Sequence, residues 1–169
     1  EDQVAESAHL IDLCVDYVGR NGTDDMGAIA ARFASEITVP VVLDSTEPNV
    51  MRAGLEHLGG RSVLNSLNLE DGSGPGSRTE RVLELAKEHG AAVVCLLIAE
   101  DGQARDVEWK MRIAHRLHDL AVDRALHVGD LLGPLVDQQD DQVHLGMIGG
   151  DGVGDLLQDD GLAGARGRG

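Results

Sequence analysis

Asp12, Asp44, Asn65 and Ser66 each fall in or at the end of a short apolar run. The runs are Leu10-Ile11-Asp12-Leu13-Cys14-Val15, Val39-Pro40-Val41-Val42-Leu43-Asp44 and Ser62-Val63-Leu64-Asn65-Ser66-Leu67. An ionised carboxylate only accepts hydrogen bonds, whereas a primary amide both donates and accepts. An Asp and an Asn converging on one pocket mouth therefore suit the edge of a flat nitrogen heterocycle, the Asp taking ring N–H and amino donors and the Asn the mixed edge. Asp16, Ser45-Thr46, Asn68 and Glu70 stand just past the same runs. A plainer role is open to some of these residues. Asp44 ahead of Ser45-Thr46-Glu47-Pro48 has the chemistry of a turn or helix cap. Asn65 inside an apolar run resists that explanation, since a buried amide demands partners.

The elements that carry these residues alternate in type. Met26, Ile29, Ala30 and Phe33 recur at i, i+3, i+4 and i+7, one face of a helix, with Thr23 as its expected N-cap. Pro48 opens a second helix. Met51, Leu55 and Leu58 share its face, and Gly59-Gly60 is its expected stop. A Gly/Ser/Pro loop covers 72–77. Ser77 and Glu80 then have capping-box spacing, Val82, Leu85 and Ala86 face inward, and Gly90 closes the third helix. The run from Ala91 to Ile98 is almost wholly apolar, as in a parallel strand covered on both faces. Asp101-Gly102 predicts a turn, and a last helix is expected from about Ala104 to Leu120. β-α units at a spacing of roughly 25 residues imply a parallel sheet with right-handed crossovers. A closed eight-unit barrel takes about 200 residues or more. The expected fold class is therefore α/β: about four β-α units of a partial TIM (β/α)8 barrel over residues 1–120, or a small open α/β sheet. In such a barrel the site lies at the carboxyl ends of the strands, where these polar residues fall.

Composition narrows the classes of function. The chain has 169 residues and a formal charge of −16, which argues against nucleic-acid partners and against an anionic membrane surface. No apolar run approaches the roughly 18 residues of a membrane span. Aromatics make up only 2%, so the core must be built from Leu, Val, Ile and Ala. Cys14 and Cys95 sit in apolar runs and read as free core thiols in a reducing, cytoplasmic setting. No metal site is expected: close Cys spacing is absent, and His115 and His118 share a helix face without a third ligand. Asn21-Gly22-Thr23 matches a glycosylation sequon but is more usefully read as a turn and cap. The chain opens on Glu1-Asp2-Gln3, with no signal peptide, and reads as beginning inside a longer protein.

Residues 121–169 are different in kind. They hold 11 Gly and 9 Asp, and no Glu, Lys, Ser, Thr, Asn or aromatic residue. Helical patches are expected at Ala121–Val128 and Leu131–Val136, with no further strand-helix rhythm. Gly149-Gly150-Asp151-Gly152-Val153-Gly154-Asp155 is a single out-of-register likeness to a calcium-binding turn, and its spacing does not fit a dinucleotide fingerprint. So restricted an alphabet is expected of an irregular tail, out-of-frame or disordered, in place of an evolved domain.

Several segments carry a family resemblance, in order and with the right spacing. Asp12-Leu13-Cys14-Val15-Asp16-Tyr17-Val18-Gly19-Arg20, Leu43-Asp44-Ser45-Thr46-Glu47-Pro48 and Asn65-Ser66-Leu67-Asn68-Leu69-Glu70-Asp71-Gly72 resemble successive strand-end motifs of the pterin-binding (methyltetrahydrofolate) domain of cobalamin-dependent methionine synthase. His89-Gly90-Ala91-Ala92-Val93-Val94 and Asp101-Gly102-Gln103-Ala104 resemble its next strand and turn. The likeness runs from about residue 2 to residue 120, and the Cys14 and Tyr17–Arg20 variant resembles actinobacterial members. It implies a TIM barrel similar to that of dihydropteroate synthase. Asp44 and Asn65 match the residues that hydrogen-bond the pterin ring, Asp12 the acidic position on the preceding strand, and Ser66 the neighbour of the Asn. Many members have Asn where Cys14 stands. The family's first strand would precede residue 1 and its last three would follow residue 120.

The resemblance also implies a mechanism. The intact domain would bind 5-methyltetrahydrofolate as substrate, for methyl transfer to cob(I)alamin and on to homocysteine in methionine biosynthesis. N5 must gain a proton before or during transfer, so the protein's work is orientation and hydrogen bonding. Cobalamin and zinc would be bound by other domains of the same enzyme, and the cobalamin-binding domain would be the partner. The alternatives are a dihydropteroate synthase-like or corrinoid methyltransferase barrel, and an inactive, non-catalytic fragment.

Overall fold

The computed structural model of the chain describes residues 2–124 and the backbone of Leu131–Leu132. A short helix α1 (Asp2–Ala5) precedes a strand-helix series: β1 (Ile11–Cys14), α2 (Gly22–Glu36), β2 (Val41–Asp44), α3 (Pro48–Leu55), β3 (Val63–Leu69), α4 (Arg78–His89), β4 (Ala92–Ala99), β5 (Gly102–Gln103), α5 (Val107–Asp123) and β6 (Leu131–Leu132). Strands β1 to β4 pair in chain order, all parallel. Each consecutive pair is joined through a helix, as a parallel connection requires. β5 folds back antiparallel on the end of β4, with Gly102 at φ 106 supplying the left-handed turn residue.

Alternation along the strands sorts the sheet into two faces. Ile11, Leu13, Val41, Leu43, Leu64 and Val93 are buried. Most of them enter one apolar core with Met26, Val50, Met51, Val82, Leu83, Ile113 and Leu117 from the helices. Their neighbours on the other face are not sealed: Asp12 and Cys14 are exposed, and Val42, Asp44, Asn65 and Val94 are half-buried. The helices thus cover one face of the sheet and leave the other open among the described residues.

The predicted helices form, with shifted ends. Asn21, not Thr23, is the N-cap of α2, because its side-chain oxygen accepts the Thr23 N–H at 3.2 Å. The expected inward face holds: Met26 and Ala30 are fully buried, with Ile29 and Phe33 packed against the core. Helix α3 stops at Leu55, short of the expected Leu58. Ser77 caps α4 by accepting the Glu80 N–H at 3.2 Å, while the Glu80 carboxylate accepts from Gly76 N in place of the reciprocal bond. Helix α5 starts at Val107, not near Ala104, because Asp106 offers the better cap and accepts the Trp109 N–H at 2.8 Å. Ala104 N instead donates to Leu97 O at 3.1 Å and prolongs the β4–β5 hairpin.

Two expectations are corrected. Cys14 is not a core thiol: it lies on the open face and is exposed. Burial does hold the other thiol, Cys95, in its neutral form, pushed up to about 12. Leu131–Leu132, expected within a helical patch, form a strand parallel to β4, with Val93 opposite Leu131 and Val94 opposite Leu132. The remainder of the Gly/Asp-rich tail, with the 149–155 motif, lies outside the described residues.

Gly54 brings α3 close to the sheet. A Cβ there would stand 2.7 and 2.9 Å from the two methyls of fully buried Leu43 and 3.2 Å from Met26. Overpacking of this kind costs about 1–3 kcal/mol, against about 1 kcal/mol gained in helix propensity. Gly54→Ala is therefore expected to lower stability in urea unfolding. In a Leu43→Ala background, where the methyls are gone, the same change should be neutral or stabilising.

Candidate functional site

Strand register decides whether the polar residues can act together. Cys14 pairs with Asp44 across β1–β2, Asp44 with Asn65 across β2–β3, and Asn65 with Val94 across β3–β4. Register partners in a sheet point to the same face, so Cys14, Asp44, Asn65 and Val94 form one rung of the open face. The rung beneath the helices, Leu13, Leu43, Leu64 and Val93, is buried throughout. Asp12 lies two residues before Cys14, hence on the same face and one layer deeper. Asp44 ends β2, whereas β3 runs on to Leu69 beyond Asn65. The structure thus brings Asp12, Asp44 and Asn65 to one surface. Ser66 follows Asn65 and is buried, with its carbonyl accepting from Arg78.

The carboxylates of this surface are not equivalent. Burial raises Asp12 above the ordinary carboxylate range. Burial likewise raises Asp44; the charges of Asp12 and Asp16 add to that, and Arg78 opposes it. Asp16, just past β1, goes the other way. Burial works against its ionisation too, but the Thr46 N–H and the Ser45 and Thr46 hydroxyls outweigh it, aided by the charge of Arg78. Those bonds are short: Ser45 Oγ donates at 2.8 Å, Thr46 N at 2.9 Å and Thr46 Oγ1 at 3.2 Å. Asp16 is a fixed anion that ties the loop after β1 to the loop after β2.

A cation completes the arrangement from the other side. Arg78, the first residue of α4, donates from Nε to Thr46 O at 2.7 Å, from Nη1 to Ser66 O at 2.8 Å and from Nη2 to Ser45 O at 3.1 Å. Its own N–H donates to Asp71 Oδ2 at 2.8 Å. Sequence reasoning named Asp16 only as a residue past a strand end, and passed over Arg78. The available signal was a cation in the first turn of a helix, where the dipole disfavours positive charge and another interaction must hold it.

Two clefts flank the sheet. One of about 350 Å³ lies beside Asp16 at the carboxyl ends, bounded by Tyr17, Arg20, Thr46 and Val50. The other, about 390 Å³, lies at the opposite ends of the strands, among Phe33, Ile37, Pro40, Leu58 and Arg61. Neither includes Asp44 or Asn65, which belong to the open sheet face. The first cleft adjoins that face through Asp16 and Thr46; the larger one is remote from the polar rung and is not the candidate site.

Comparison with known proteins agrees with the geometry. Residues 1–128 match the family model described as pterin binding enzyme. Over 117 residues, 69% of the chain, it is 62% identical to the methionine synthase of Mycobacterium leprae (strain TN). It is 58% identical over the same length to the methionine synthase of Mycobacterium tuberculosis (strain ATCC 25618 / H37Rv). The aligned part spans only 10% of each of these curated relatives. Among solved structures, a Yersinia pestis DHPS with a pterine-sulfa conjugate superposes with a TM-score of 0.58 at 16% identity, over 78% of this chain and 50% of that one. At that identity the likeness speaks for the fold, a partial TIM barrel.

The opposed carboxylates predict opposed effects on stability. The folded-state pKa of Asp44 lies above its unfolded value of about 3.9. Its contribution is complete below that value and is lost as pH rises through the folded pKa, so ionised Asp44 is a cost at neutral pH. Asp44→Asn should stabilise the fold at about pH 7 by less than about 1 kcal/mol after solvent screening, with the gain fading on acidification. For Asp16, with its lowered pKa, the contribution is present above about 3.9 and lost as pH falls through the folded value. Asp16→Asn should destabilise at neutral pH by about 1 kcal/mol. Urea unfolding across that pH range checks both signs.

Proposed function

The chain belongs to the pterin-binding enzyme family, and from that membership we propose that its open sheet face is the folate-binding part of a cobalamin-dependent methionine synthase. The observation that carries the reading is the in-register pair of Asp44 and Asn65 on neighbouring parallel strands, facing the same way. Neighbouring strands lie about 4.8 Å apart, a spacing that lets two side chains contact one edge of a bicyclic ring. The Asp44 carboxylate takes N–H donors of the pterin, and the Asn65 amide matches its mixed edge. Asp12 stands one layer below as an acceptor on the deeper side. Ser66, next to Asn65, is buried and joins the site through its carbonyl, which accepts from Arg78.

The chemistry in this reading is methyl transfer from N5 of 5-methyltetrahydrofolate. The methyl acceptor, cob(I)alamin, supplies the nucleophile, and the methyl passes on to homocysteine; cobalamin and zinc belong to other domains of the enzyme. What this chain's residues do is orient the ring and favour its protonated form. Neither Asp44 nor Asn65 is assigned as the proton donor. The work is done in a reducing cytoplasm, in keeping with the unpaired thiols of Cys14 and Cys95. The cobalamin-binding domain of the same enzyme is the partner, meeting this domain at the carboxyl ends of the strands. A second reading, an inactive fragment, is favoured by the sheet face, which among the described residues is uncovered and presents one side of a pocket.

Calorimetric titration of 5-methyltetrahydrofolate into the full chain separates the two. Binding at micromolar ligand is expected for a working half-site. Asn65→Ala and Asp44→Ala should each weaken it by about tenfold or more, as the loss of a buried or charged hydrogen bond does. No heat from a chain that melts cooperatively would leave the inert fragment standing.

A further inference from the structure

Arg78 bonds three carbonyls, two just past the end of β2 and one within β3. Ser45 and Thr46 follow Asp44 directly, and Ser66 follows Asn65 directly. One planar guanidinium thus spans the backbone next to both proposed ring-binding residues, using three donors whose mutual geometry is rigid. Asp16 grips the same Ser45-Thr46 pair from the opposite side, through the Thr46 N–H and both hydroxyls. The base of the Arg is itself fixed, by the Ser77 cap of α4 and by the Asp71 carboxylate on its N–H.

We propose that Arg78 is a positioning residue for the pterin site: its fork sets the placement of Asp44 relative to Asn65, and through it the fit of the heterocycle. The inference rests on the folate reading for its ligand, but the placement itself is a property of the free chain. Catalytic and binding geometry tolerates displacements of only a fraction of an ångström. Strand pairing sets the register, with Ser45 N donating to Asn65 O at 3.2 Å, and one rigid group bonded to the backbone beside both residues holds their placement more tightly than pairing alone. Arg also contributes charge. The titratable and charged groups around Asp44 are Asp12 and Cys14 on β1, Asp16 after it, and Arg78 on α4, so Arg78 is the one cation of that set. Its removal leaves Asp44 facing anions without compensation. Lys in its place keeps the charge but cannot make the three-way fork.

The test compares wild type, Arg78→Lys and Arg78→Gln in the full chain by three measurements: urea stability, titration of the Asp44 side-chain carboxyl by ¹³C NMR, and affinity for 5-methyltetrahydrofolate. Arg78→Lys is expected to leave the Asp44 titration in place and to weaken folate binding about tenfold. Arg78→Gln should raise the Asp44 midpoint and weaken binding at least as much. If both variants lose stability while folate affinity and the Asp44 titration stay at wild-type values, Arg78 only holds the fold and the proposal is overturned. A wild-type chain that binds no folate defeats the folate reading alone, since the Asp44 titration still decides the role of Arg78. Should Arg78→Gln fail to fold, the Asn65 side-chain amide resonance in Arg78→Lys decides: a shift supports positioning, and an unmoved resonance refutes it.

Discussion

The dipeptide Ser45-Thr46 is held from two directions, its hydroxyls and an N–H by the Asp16 carboxylate and its carbonyls by the Arg78 guanidinium. Both hydroxyls, both carbonyls and the Thr46 N–H bond a charged group, and charge-assisted bonds are the stronger kind; the Ser45 N–H donates to the Asn65 carbonyl. Because Asp16 follows β1, the dipeptide follows β2, and Arg78 also reaches β3 at Ser66, the arrangement couples three consecutive strands. Parallel strands share no turn at that end, and their loops leave for different helices. Strand pairing fixes the rung itself, with Ser45 N donating to Asn65 O at 3.2 Å, and the tie carries that constraint into the loops beyond it.

The same arrangement explains why one surface carries carboxylates of opposite character. Asp16 is wrapped in donors and loses its proton more readily than an ordinary carboxyl, whereas Asp44, half-buried near two other acids, holds its proton more readily. Perturbations of both signs within one cluster are what sites that handle charge require. The anion that maintains the architecture and the one proposed to meet the ligand are then different residues. Ionised Asp44 costs the fold something, and that cost is the expected mark of a group kept for binding.

Most of this was legible in the sequence where periodicity and apolar runs decide the outcome. The strands around Leu13, Leu43, Leu64 and Val93 and the face of α2 needed only alternation and i, i+3, i+4 spacing. The shared face of Asp44 and Asn65 followed from their place in those runs. Helix ends were less legible because caps compete locally: Asn21 displaces Thr23, and Asp106 displaces a start at Ala104. Cys14 was misplaced because an apolar neighbourhood says nothing of which face a strand residue takes; alternation with buried Leu13 assigns it to the open side. Arg78 showed only as a cation in the first turn of a helix, and what it holds could not be read. Its partners are backbone carbonyls of Ser45, Thr46 and Ser66, and a carbonyl has no residue type to read.

The two faces of the sheet also separate stability from recognition. On the helix side, β1 to β4 and α2 to α5 contribute to a common apolar core, with Leu43, Met51, Leu64, Val82 and Ile113 essentially removed from water. Each such side chain contributes about 1.5–3 kcal/mol by burial, and none of that depends on what lies across the open face. On that other side, Asp12, Cys14, Asp44 and Asn65 offer few apolar atoms to water. The same face also carries Val42 and Val94, half-buried, and Val63 and Ala92, buried, so polar and aliphatic positions share it. The helix-side core fixes the sheet below the polar rung, while the spacing of Asp44 and Asn65 rests also on the bond from Ser45 N to Asn65 O and on the Asp16 and Arg78 contacts beyond it.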